Sequence, residues 1–137
     1  MGFIEDDYKV TLFIKLFIDI LNDEECYFEL KRDRVSEKNK PNKFTKRQAL
    51  ADLNYEDEDV IHELISLKVE HYVESVEDKN PFFNDEPFRV FVKQIKYDKN
   101  KSVMDVYIKV KIKSIDNKMV VCVSFHRAQF DFNFPYN

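Results

Sequence analysis

The 137-residue chain is 44% apolar and 15% aromatic, enough to form one folded domain covering residues 1–137. Its single glycine, Gly2, excludes the dinucleotide fingerprint, the phosphate-binding P-loop and the nucleophile elbow, all of which need backbone that only glycine permits. Charged residues reach 35%, and the net charge of −4 conceals strong polarisation. Eight basic residues face two acidic ones from Lys31 to Arg47, twelve acidic face two basic from Asp52 to Pro87, and eight basic face three acidic from Lys93 to Lys118. An acidic total therefore does not exclude a polyanionic partner, because attraction depends on the face presented.

Cys26 and Cys122 lie far apart inside apolar runs, so they make neither a redox pair nor a thiolate metal site and are expected as buried free thiols. His62 and His71 lack metal spacing and are expected at the surface. No metal and no cofactor are expected. Glu5, Asp6 and Asp7 stand where a secretory signal would be basic, and the longest apolar stretch, Val10 to Leu21, is broken by Lys15 and Asp19 and is too short to span a bilayer. A soluble cytoplasmic protein without membrane contact is expected.

Taken in chain order, Leu12, Phe13, Leu16, Phe17, Ile20 and Leu21 give the segment Ile4 to Leu21 the period of a helix with one wide buried face. Cys26 to Leu30 reads as a short strand and Lys31 to Lys43 as a polar, basic connection, and the basic stretch Lys31 to Arg47 is able to grip phosphates or simply to lie in solvent. Thr45 and Gln48 have capping-box spacing, so a helix is predicted to begin at Thr45. Glu56 to Asp59 load carboxylates onto the start of another helix carrying Val60, Ile61, Leu64 and Ile65.

Beyond Pro87 the period changes to two. Val106, Ile108, Val110 and Ile112 alternate with Tyr107, Lys109, Lys111 and Lys113, and Val120 to Phe125 forms a partner strand across an Asp116-Asn117 turn. That turn sets Ile108 opposite Phe125, Val110 opposite Val123, Ile112 opposite Val121 and Tyr107 opposite His126. Phe88 to Tyr97 reads as a third strand. A three-residue loop, Lys99-Asn100-Lys101, sets Val90 against Val110 and Val92 against Ile108 in the core, with Lys93 opposite Tyr107. The tail residues Phe130, Phe132, Phe134 and Tyr136 alternate with polar residues, as in a last strand whose aromatic face covers the core, or else stacks bases or docks a partner.

Histidine, tyrosine and lysine gathered on a wet sheet face suit cleavage of RNA by its own 2′-hydroxyl. One group takes that proton, a cation stabilises the phosphate charge and another group protonates the departing oxygen. A solvated lysine face with a bystander histidine is the simpler reading of the same pattern.

The run LNYEDEDVIHELISLKVEHYVESV, with PFRVFVKQI at Pro87 to Ile95, DVYIKVKIKSI at Asp105 to Ile115 and the closing MVVCVSFHRAQFDFNFPYN, resembles the motility quorum-sensing regulator (MqsR) toxins, most of all the Gram-positive branch. The resemblance covers roughly Lys43 to the end, with VYIKVK, VSFH and NFPY its most specific pieces. It implies an α+β, RelE-like fold: an antiparallel sheet of C-terminal strands with N-terminal and central helices on one face. It implies metal-independent cleavage of mRNA, restrained by an antitoxin partner. The family's catalytic tyrosine falls on Tyr107, and its C-terminal basic residue, a lysine in the best-known members, on His126. Lys93 matches a family lysine, Val92 replaces a glycine, Glu74 replaces a lysine, and Phe88 or Arg89 stands at a tryptophan.

On this reading Tyr107, His126 and Lys93 are catalytic, and Lys109, Lys111, Arg127 and Arg89 contact the substrate. Two functions stay open: an endoribonuclease toxin of a toxin-antitoxin pair, and a catalytically inactive relative, of phage or prophage origin, that binds another protein, such as a toxin or antitoxin.

Overall fold

A computed structural model describes residues 2–23, 25–31, 44–116 and 118–137. The elements run β1 (Gly2–Phe3), α1 (Asp7–Leu21), β2 (Tyr27–Leu30), α2 (Lys46–Leu53), α3 (Asp57–Ile65), a 3-10 turn (Val69–His71), β3 (Tyr72–Val76), β4 (Phe88–Tyr97), β5 (Ser102–Ile115) and β6 (Lys118–Arg127). Among the described residues the fold is α+β: three helices and one six-stranded sheet of order β1-β3-β4-β5-β6-β2. Every pairing is antiparallel except that of β2 with β6. The connection from Lys31 to Lys43 lies, beyond Lys31, outside the described residues. No helix among the described residues is long and apolar enough to cross a membrane.

Local chemistry sets the helix starts. The Asp6 carboxylate accepts from Lys9 N–H, and Thr45 Oγ1 accepts from Gln48 N–H, each capping a backbone donor of a first turn. The Gln48 side-chain amide donates forward to Asp52. Asp59 closes the start of α3 by accepting from Glu56 N–H, and three carboxylates occupy that first turn.

Val10, Phe13, Ile14 and Phe17 of α1, Ala49 and Leu53 of α2, and Val60 and Leu64 of α3 pack on one sheet face, against Phe91, Ile95, Val106, Ile108, Val110, Val121, Val123 and Phe125. The buried stripe of α1 differs from the one expected: Leu12 and Leu16 are 47% and 54% exposed. Apolar residues surround more of this helix than one sheet can cover, and the stripe through Val10, Phe13 and Phe17 takes the contact.

The β5–β6 pairing holds at every expected position, from Ile115 opposite Lys118 to Tyr107 opposite His126. The β4–β5 pairing is shifted by one residue. The loop has four residues, Asp98 to Lys101, so Tyr97 pairs with Ser102, Val92 with Tyr107 and Lys93 with Val106. Asp98, Lys99 and Asn100 all have positive φ, between 52° and 67°, a left-handed run made without glycine. Because alternate residues point to opposite faces, the one-residue shift turns all of β4 over relative to expectation. Val90 and Val92 therefore leave the helix-covered core and join Val73 in a second cluster on the other face, with Val76, Tyr107, Phe132 and Phe134. β3, unforeseen as a strand, pairs with β4 through an irregularity between Tyr72 and Glu74. The tail after Arg127 forms no strand, yet Phe132 and Phe134 cover that second cluster.

Candidate active site

The face away from the helices carries the residues with chemistry. Tyr107 and His126, directly opposed on β5 and β6, stack with ring centroids 4.8 Å apart and planes 16° from parallel. His126 Nδ1 lies 2.9 Å from the Arg127 carbonyl oxygen. A carbonyl only accepts, so Nδ1 carries the hydrogen, and the neutral ring keeps its basic lone pair on Nε2. Burial pushes the Tyr107 phenol up from its ordinary pKa, and the Glu74 carboxylate adds to the rise. The phenol is therefore protonated at neutral pH. Its ring is half-buried, with Phe132 tilted against it at 5.9 Å.

Lys109 follows on the same face of β5, opposite Ser124. Its ammonium stands 4.5 Å from the centre of the Phe88 ring, which also draws Lys31 at 5.0 Å and Lys111 at 5.6 Å. Three cations around one phenyl ring make a basic, aromatic surface beside the Tyr107–His126 stack. Lys111, however, is 1% exposed. Its ammonium donates to the Phe83 carbonyl at 2.6 Å and to the Glu86 carbonyl, and pairs with Asp78 at 3.5 Å, tying the acidic connection before β4 onto the sheet.

Arg89, Lys93 and Arg127 are on the helix-covered face and do not join Tyr107. The first two are there because of the register shift, and Arg127 because it neighbours His126 in an alternating strand. Arg89 forms a two-pronged pair with buried Glu5 and a third contact with Glu86. Lys93 Nζ pairs with Glu63 at 2.8 Å and donates to Ser66. Arg127 pairs with Asp52 at 3.3 Å. Of the seven expected residues, the structure thus brings Tyr107, His126 and Lys109 to one surface, with Lys111 beneath its edge.

Sequence reasoning saw Lys31 only within a longer basic connection and did not bring Phe88 or Phe132 to this surface. The first depends on the parallel contact of β2, the second on the four-residue loop, and the third on a tail without strand pairing. Glu74, opposite Val90, shares the face and sets a carboxylate near Tyr107. His71 is half-buried, its Nδ1 accepting from Lys68 N–H at 3.0 Å. Burial chiefly, and then Lys93, push its pKa down, so the ring is neutral near pH 7. Among the described residues no group of three or more His, Cys, Asp or Glu side chains could hold a metal ion. No family model, no curated protein and no solved structure matches the chain.

Proposed function

We propose that the chain is a metal-independent endoribonuclease of the RelE-like, MqsR-toxin kind, acting on mRNA in the cytoplasm and restrained by an antitoxin. The observation that carries the reading is the Tyr107–His126 stack with Nδ1 of the histidine committed to a carbonyl. Nε2 of His126 takes the proton of a ribose 2′-hydroxyl, whose oxygen attacks the adjacent phosphorus. The 5′-oxygen leaves with a proton from the Tyr107 phenol, giving a 2′,3′-cyclic phosphate and a 5′-hydroxyl end. Lys109 balances charge on the phosphoryl oxygens, where a fixed cation acts most strongly at the transition state. The test is incubation with single-stranded RNA in excess EDTA, followed by end analysis. Cyclic phosphate and 5′-hydroxyl ends support the reading, and intact RNA with folded protein at high concentration overturns it.

One observation favours a second reading. Glu74 places a carboxylate on the face where phosphate would approach, which suits a relative that has kept the fold and binds a protein instead. Harmless expression together with a stable complex with another protein would select it, whereas growth arrest on induction selects the nuclease.

A further inference from the structure

On the far side of Tyr107 from the lysines lies a cleft of about 680 Å³. Val92, Gln94 and Asp105 line it from the sheet, Glu70 and His71 from the turn before β3, and the tail residues Phe130, Asp131, Phe132 and Phe134 complete its wall. Its chemistry is the reverse of the neighbouring surface. Glu70, Asp105 and Asp131 contribute three carboxylates, and no hydrogen bond or ion pair from another described side chain engages any of them. Of the two basic side chains at the rim, Lys93 is already held by Glu63 and Ser66, and His71 is neutral near pH 7. Phe130 stands 72% exposed beside the carboxylates, a large aromatic surface that packing within the chain does not explain.

Unengaged carboxylates beside an exposed aromatic face match a guanidinium, which is planar, stacks on rings and offers paired N–H donors to a carboxylate. They repel phosphate. We propose that this cleft docks a basic segment of a partner protein, with an arginine side chain between Phe130 and the carboxylates of Asp105 and Asp131. The cleft has room for more than one long side chain, so a short stretch of peptide enters with the arginine. The site abuts the catalytic pair, since Val92 lies opposite Tyr107 and the Phe132 ring rests against it. Occupancy fixes the tail over Tyr107, so a partner seated here controls access to that phenol without touching the lysines.

The test uses the full chain, isotope-labelled for backbone amide spectra, and an end-capped hexapeptide of alternating arginine and glycine. The same peptide with citrulline, which keeps the shape and loses the charge, is the control. Saturable shifts at Gln94, Asp105, Asp131 and Phe132 with the arginine peptide, at least about fivefold weaker with citrulline, support the proposal. Phe130→Ala, at an exposed position where folding is not at stake, should weaken binding about threefold, and Asp105→Asn with Asp131→Asn about tenfold. Equal shifts at the exposed carboxylates Glu56 to Glu58 would mean general attraction and overturn it. So would binding indifferent to these substitutions, or an oligoribonucleotide that moves the cleft amides when the peptide does not, which would make the cleft an RNA subsite. None of these outcomes depends on whether the protein cleaves RNA.

Discussion

The Arg89 guanidinium grips the Glu5 carboxylate with two nearly parallel bonds, Nε to Oε1 at 2.8 Å and Nη2 to Oε2 at 3.0 Å, and both side chains are almost sealed from water. Ser75 donates to the same carboxylate, and the Tyr136 hydroxyl donates to the Glu5 carbonyl. Arg89 also lies over the Phe13 ring, 4.3 Å from its centre. One buried pair thus joins the segment before α1 to the middle of the sheet and, through Tyr136, to the tail. Removing either partner leaves the other charge buried with only one exposed counter-ion, Glu86 for Arg89 and Lys9 for Glu5, so Glu5→Ala and Arg89→Ala should each cost about 3 kcal/mol in urea unfolding. The paired replacement Glu5→Gln with Arg89→Met should cost clearly less than the sum of the two single changes.

Acid should weaken the fold in two steps. Burial raises the Glu5 pKa, but the bonds from Arg89 and Ser75 and the charge of Arg89 outweigh it, and the net value lies below the ordinary one. The unfolded carboxyl then binds its proton at higher pH than the native one, so this stabilisation is present above about pH 4.3 and is lost as pH falls through the native value. The His71 pKa is also lowered, by burial first and then by Lys93. Its contribution is likewise present above about pH 6.5 and declines below it. The melting temperature should therefore fall between pH 7.5 and 5.5, then again below pH 4.5. His71→Asn should flatten the first fall and leave the second.

If the stacked pair performs the chemistry, Tyr107→Phe and His126→Ala should each lower RNA cleavage by about tenfold or more, with an unchanged circular dichroism spectrum. Gel assays at several pH values check this. Rates equal to wild type in both variants would take the two rings out of the reaction.

Neighbouring lysines on one strand face should respond differently. Lys111→Ala removes the buried cation facing Asp78 and two carbonyls, and should destabilise the chain by about 3 kcal/mol. Lys109→Ala should leave stability within about 0.5 kcal/mol while weakening RNA binding and lowering the salt dependence by about one counterion. Denaturant melts and fluorescence-anisotropy titrations at several salt concentrations separate the two.

The sequence was most informative where one element specified its neighbour. An Asp116-Asn117 turn, read between two alternating segments, predicted the β5–β6 register and the Tyr107–His126 contact, although Asn117 itself lies outside the described residues. The loop before β5 offered no such marker. Asp98, Lys99 and Asn100 take the left-handed conformation without a glycine to announce it, and the resulting extra residue sent Arg89 and Lys93 to the helices. β3 is five residues long with an irregularity after Tyr72, which hides its alternation. Neither the parallel seating of β2 nor the course of the tail has a local sign, because both depend on contacts with residues far along the chain.

The loop from Asp98 to Lys101 therefore governs more than a bend. Delete one of its residues and keep the strands paired, and every side chain of β4 must trade sides: two cations would enter the wet face and two valines would move under the helices. The charge offered to a ligand and the make-up of the interior are thus linked through a hairpin tip that touches neither, where an insertion or deletion alters chemistry more deeply than most substitutions within the strands.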